Sequence, residues 1–128
     1  IKDNIFFKKH ISKEEIRELY STSSVALVSS LYEGFGYPVI EAMSCEVPLI
    51  ATNVSSIPEL VGKYGILIDP KDENQLSNKI RIVLSNYEDY KKNAIQGRQH
   101  IINTFNWSKI THEYEKAIFK TIESHKKC

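Results

Sequence analysis

Two glutamates, Glu33 and Glu41, stand eight positions apart on either side of a Gly34-Phe35-Gly36 bend, with Tyr37, Pro38, Val39 and Ile40 completing the interval. Gly34 and Gly36 allow positive φ and leave no Cβ between the main chain and a ligand. Pro38 suits a first helical position, where its missing N–H would have been unpaired in any case. The free donors are then expected on Val39 and Ile40, with Gly36 and Tyr37 contributing from the turn. Bare N–H groups at the positive end of a helix hold phosphate or diphosphate. The gain is about 0.3–1 kcal/mol for an exposed anion and about 2 kcal/mol for a partly buried one. Glu41 lies one turn into the helix and cannot cap it. A carboxylate beside an anion repels it unless aimed at neutral hydroxyls, and ribose hydroxyls fit that description. Hydrogen bonds to such a charged acceptor are worth about 1.5–3 kcal/mol. Glu33 precedes the bend at a strand's carboxyl end, where open α/β sheets place their ligands, and would face the ligand's other end.

The elements needed to position this stretch are legible around it. Val25–Ser29 reads as a strand, and the bend and helix follow it directly. Upstream, Ile5-Phe6-Phe7 reads as a first short strand, and Ser12 with Glu15 as a capping box opening a helix that carries Ile16, Leu19 and Tyr20 on one face. Downstream, Pro48–Thr52 is a continuous apolar strand of the kind buried on both faces. Ser56 with Glu59 forms a second capping-box pattern, ended by Gly62, and Gly65–Asp69 is a further strand. Asp72 with Gln75 caps a helix whose Leu76, Ile80, Val83 and Leu84 form a stripe. After Asn86 only helical faces remain, one through Tyr87, Tyr90, Ala94 and Ile101, another through Ile110, Tyr114, Ala117 and Ile118. Strand–helix–strand units with short connections imply an α/β fold: a Rossmann-like parallel sheet with flanking helices, the terminal helices packing around it.

Glu33-Gly34-Phe35-Gly36 through Glu41-Ala42-Met43 resembles the E-x7-E signature of retaining nucleotide-sugar glycosyltransferases of family 4, which have the GT-B fold. Val47–Thr52, Ile57–Val61, Gly65–Pro70 and Phe105-Asn106-Trp107 are similar, in the same order, to the segments that follow the signature. The resemblance covers nearly the whole chain. It implies the C-terminal donor-binding domain of a two-domain enzyme, with residues 1–128 forming one partial domain. Glu33 would lie near the donor sugar's hydroxyls as the catalytic glutamate, Glu41 would bind ribose, and the Gly34–Ile40 backbone would reach the sugar and diphosphate. The Arg and Lys that neutralise the departing diphosphate would lie upstream of Ile1, and the acceptor site in the other domain. The final helix, Lys109–Ser124, resembles the one that crosses back towards that domain, which would leave Phe119 and Ile122 exposed here or paired with another copy. Three positions depart from the family pattern: Glu46 replaces a usual glycine, Ser55-Ser56 a glycine-rich turn, and Tyr37 a small aliphatic residue.

Composition excludes other classes. The 128 residues suffice for one core, and a formal net charge of +1 gives no electrostatic case for nucleic acid. Only Lys8-Lys9 and Lys126-Lys127 are adjacent basic pairs, read as solvated surface. No run is long enough to span a bilayer and no leader pattern is present. Cys45 and Cys128 have neither disulfide-framework nor metal spacing; Cys45 reads as a buried helix thiol and Cys128 as a tail residue. A reducing, cytoplasmic setting fits. No metal site and no cofactor other than the nucleoside-diphosphate sugar donor are expected. The chain opens at Ile1 rather than methionine, which suggests a piece of a longer protein. Acceptors in the resembled family run from lipid-linked glycans to small molecules, which allows peripheral association with a membrane. Two alternatives stay open from sequence: a nucleotide-binding module without catalysis, and a phosphorylase or epimerase sharing the architecture.

Overall fold

Leu49-Ile50-Ala51-Thr52 is buried along its whole length and forms β2, the centre of the sheet. β1 (Ala26–Val28) and β3 (Ile66–Ile68) flank it, both parallel to it, in the order β1-β2-β3. Ala26 pairs with Leu49, and Ile50 with Ile66. A strand covered on both faces needs apolar residues at every position, and Leu49–Thr52 supplies them, with the Thr52 hydroxyl satisfied by carbonyls of the β1 end. In this computed structural model, which describes residues 2–125, the helices are α1 (Lys13–Thr22), α2 (Tyr37–Ser44), α3 (Ile57–Val61), α4 (Glu73–Ser85), α5 (Tyr87–Thr104) and α6 (Trp107–His125).

Alternation along β2 divides the core. Leu49 and Ala51 face a cluster built by Val39, Ala42 and Met43 of α2, Ile57, Leu60 and Val61 of α3, and Ile101 of α5. Ile50 faces the opposite side, with Ile68 and Val83 of α4, and Leu76, Ile80 and Tyr90 pack around them. The sheet thus lies between α2, α3 and α5 on one side and α4 on the other. α5 closes on α2 at Gly97, where a Cβ would stand 3.2 Å from Met43 Cε and 3.0 Å from Tyr64 Cβ. Each large side chain buried here stabilises by about 1.5–3 kcal/mol, and cutting Ile50 to alanine would cost about 2–5 kcal/mol.

Several sequence expectations are met closely. The Ser12 capping box forms in full: Glu15 N–H donates to Ser12 Oγ at 3.2 Å, and Ser12 N–H to Glu15 Oε2 at 2.8 Å. Asp72 Oδ1 accepts from Gln75 N–H at 2.8 Å, and Gly62 ends α3 through its N–H to Pro58 O at 3.0 Å.

Others are corrected. Ile5-Phe6-Phe7 is not a strand; it is irregular and exposed, with Phe6 83% and Phe7 91% accessible. A strand exists only against a partner, and no strand among the described residues pairs with β1's outer edge. Ser56 and Glu59 form no capping box, because the Ser56 hydroxyl is directed at the loop before α2 instead. Leu84, expected in the α4 stripe, is half exposed because Val83 takes the inward position. α5 packs as expected, but α6 buries none of its residues, and Phe119 and Ile122 stand exposed. Cys45 is half-buried at the end of α2 rather than enclosed. The helix before it closes through a left-handed residue, Glu46 at φ 58°, where the resembled family has glycine, and Ser55 likewise has φ 48°. The Lys126-Lys127 pair and Cys128 lie outside the described residues.

Candidate functional site

The loop from β1 to α2 is anchored by hydroxyl groups. Thr52 Oγ1, on buried β2, donates to Ser30 O at 2.5 Å where the loop begins. Ser30 Oγ donates to Glu33 Oε1 at 2.7 Å, which ties this half-buried carboxylate back to the strand's end. Sequence reasoning did not single out Ser30; a hydroxyl three positions before an acid in a loop was the available signal.

At the far end of the loop Gly36 caps α2 with φ 98° and ψ 47°. A Cβ there would stand 2.9 Å from Leu60 Cδ1, so both the left-handed backbone and the approach of α3 call for glycine. Gly34 differs: its φ is not positive, and nothing lies within 4 Å of where its Cβ would be. It faces open space. The expectation of positive φ therefore holds for Gly36 and not for Gly34.

The free amides are also displaced from expectation. Val39 N–H and Ile40 N–H both donate to Gly36 O, at 3.0 and 3.4 Å, because the carbonyl of a cap residue accepts the first bonds of its helix. The N–H groups of Gly34, Phe35, Gly36 and Tyr37 donate to no acceptor among the described residues. The open donors thus sit in the bend itself. Pro38 occupies the second helical position, since α2 begins at Tyr37, and Pro38 O accepts from Tyr20 Oη at 3.5 Å. Val39 is fully buried and contributes packing, with Ile40 half-buried beside it.

Aromatic rings support the bend's outer side. Phe35 meets Tyr37 edge-on at 5.2 Å and Phe105, at the end of α5, at 5.8 Å. Such edge-to-face pairs add about 0.5–1.5 kcal/mol beyond burial. Tyr37 remains 69% accessible in front of the loop.

Glu41 is exposed on α2 and opens towards α1. It lines a hollow of about 360 Å³ with Ile11, Ile16, Leu19 and Tyr20, and another of about 500 Å³ with Lys13, Arg17 and Arg98. The Tyr20 hydroxyl is pushed above its usual range, first by burial, then by the neighbouring Glu41 and Cys45. Glu33 lines neither hollow. Glu41 thus borders the hollows beside α1, and Glu33 is held by Ser30 at the strand end. No group of three or more His, Cys, Asp or Glu that could hold a metal occurs among the described residues, and no helix there is long and apolar enough to cross a membrane.

The bend holds four amides without an acceptor among the described residues, with a carboxylate before it and another after it, and comparison with known proteins gives it a context. MMP alpha-(1->4)-mannosyltransferase of Mycolicibacterium hassiacum is 31% identical over 125 residues, covering 92% of this chain and 30% of that protein. Sucrose-phosphate synthase from Thermosynechococcus elongatus superposes with a TM-score of 0.84 at 30% identity, over 95% of this chain and 31% of that one. An Anabaena protein, HepE, solved in complex with UDP-glucose, shares the fold with a TM-score of 0.75 at 22% identity, over 83% of this chain and 30% of that one. The chain thus spans about a third of the length of these relatives. The family model of glycosyl transferases group 1 matches residues 1–100. On that match, and on the fold it shares with these structures, the chain belongs to the glycosyl transferases group 1 family.

Proposed function

We propose that this chain is the donor-binding part of a glycosyltransferase that moves a sugar from a nucleoside diphosphate to an acceptor hydroxyl, with retention of anomeric configuration. The observation that carries the reading is the bend itself: four unpaired amides, Gly34 to Tyr37, gathered at the start of a helix with no side-chain cap. In this reading the diphosphate lies on those amides, and Glu41 accepts from ribose hydroxyls on the α1 side. Glu33 orients the transferred sugar as the catalytic glutamate, its carboxylate prepositioned by Ser30. As the glycosidic bond breaks, negative charge grows on the diphosphate, and donors fixed beforehand at the helix start stabilise it without reorganising.

No cofactor besides the donor enters this scheme. The acceptor, a glycan or lipid-linked sugar, and the remaining wall of the cleft come from chain outside these residues, and exposed α6 is the surface on which that further domain would rest. The setting is cytoplasmic, with peripheral membrane contact where the acceptor is lipid-linked.

The test is transfer by the full-length protein with a panel of nucleoside-diphosphate sugars, reading product anomers by NMR. Retained configuration supports the proposal; an inverted product, or dependence on inorganic phosphate as co-substrate, overturns it. The isolated residues 1–128 are expected to show no turnover in the same assay.

A further inference from the structure

The β2–α3 segment touches the donor loop at a point that neither the family match nor the motif explains. Ser56 Oγ lies 2.9 Å from Phe35 O and 3.3 Å from Glu33 O. One hydroxyl carries one proton, so the shorter contact to Phe35 O is the principal bond and Glu33 O shares it. The preceding residue, Ser55, is held left-handed at φ 48°. That conformation is unfavourable for a side-chain-bearing residue and persists only where its surroundings over-determine it. Ser56 does not use its hydroxyl to cap its own helix, which has no side-chain cap. Two residues of this segment therefore forgo their ordinary local preferences, and the hydroxyl so placed reaches the carbonyls on both sides of Gly34.

The consequence follows from peptide geometry. In a planar trans peptide the C=O and the following N–H point in opposite directions. Turning Phe35 O towards Ser56 turns Gly36 N–H away from α3, and turning Glu33 O the same way does so for Gly34 N–H. Both are among the open amides of the bend. On the same side, Leu60 of α3 packs against Gly36 and fixes how closely the loop approaches.

We propose that Ser56 is a positioning residue for donor binding: its hydroxyl holds the Glu33 and Phe35 carbonyls towards α3, so that the Gly34 and Gly36 amides stay aimed at the donor's diphosphate. It acts through the loop and touches no substrate. The inference rests on the donor reading given above.

The experiment compares Ser56→Ala and Ser56→Thr with the unsubstituted full-length protein by donor titration, thermal melting and amide hydrogen exchange of the donor-free protein. Ser56→Ala is expected to weaken donor binding roughly three- to tenfold, the effect of one neutral hydrogen bond. It should also speed exchange across residues 33–37 selectively, while exchange in β2 and α5 stays unchanged. Ser56→Thr, which keeps the hydroxyl, should restore both. Donor affinity left intact by Ser56→Ala overturns this inference alone. So does a loss that Ser56→Thr shares, since the hydroxyl would then not be the cause. No donor affinity in the unsubstituted protein overturns the donor reading and this inference together.

Discussion

α1 and α2 begin in opposite ways. α1 closes its N-terminus with side chains: Ser12 and Glu15 exchange two hydrogen bonds, which pair the cap amide and the amide at the third helical position. α4 does the same more simply through Asp72. α2 begins at a glycine with no side chain to offer, and its open donors lie in the bend before it. A side-chain cap is worth about 0.5–2 kcal/mol, and α2 does without one while carrying buried Val39, Ala42 and Met43. Its stability comes from packing, which leaves its N-terminus available for binding. The same backbone chemistry is thus used for folding in one helix and kept open for recognition in another.

Substitution can break that contrast. Gly36→Ala should have the largest effect, since it combines a left-handed backbone with a Cβ 2.9 Å from Leu60 Cδ1. We expect a destabilisation of about 2 kcal/mol together with loss of donor binding, checked by chemical denaturation and titration. Glu41→Ala should leave stability nearly unchanged and weaken donor binding by roughly ten- to a hundredfold, because ribose loses a charged acceptor; unaltered affinity would remove Glu41 from the site. Ser12→Ala sharpens the comparison from the other side. It should cost about 1 kcal/mol of stability and leave donor affinity as it was.

The smallest effect is in pH. Hydrogen bonds from the Ser12 backbone and then its hydroxyl hold the Glu15 carboxyl below its ordinary range. A carboxylate whose folded pKa is depressed stabilises above its unfolded value, and that contribution fades as pH falls through the folded one. Protection of the amides at the start of α1, taken relative to their intrinsic exchange rate at each pH, should therefore fall on acidification below the ordinary glutamate pKa. The bend before α2, whose amides rely on no such carboxylate, should not follow it.

The sequence was most readable where a local rule and the tertiary structure agree. The β2 strand declares itself by an unbroken apolar run, and the Ser12 box by spacing alone. The glycine bend was legible as a bend, but which amides it frees was not. That depends on which amides the Gly36 carbonyl takes up, here those of Val39 and Ile40. Ser56 misled for a related reason: Ser56 and Glu59 have capping-box spacing, but carbonyls from a loop more than twenty residues away compete for the hydroxyl and win. Ile5-Phe6-Phe7 has strand composition without a strand, because pairing is a property of two segments and only one was in view. Glu46 stands where the resembled family has glycine. The chain keeps the left-handed close regardless, with Glu46 O accepting from Lys91 Nζ at 2.7 Å.

The outer edge of β1 has a bearing on how these residues behave alone. In its register Ala26 and Val28 bond to β2, so Leu27 turns its amide and carbonyl outward, its side chain still 47% accessible. Unsatisfied strand edges of this kind recruit other strands. Prepared as residues 1–128, the domain should self-associate as concentration rises, through that seam, and Leu27→Lys would be the simplest means of keeping it dispersed.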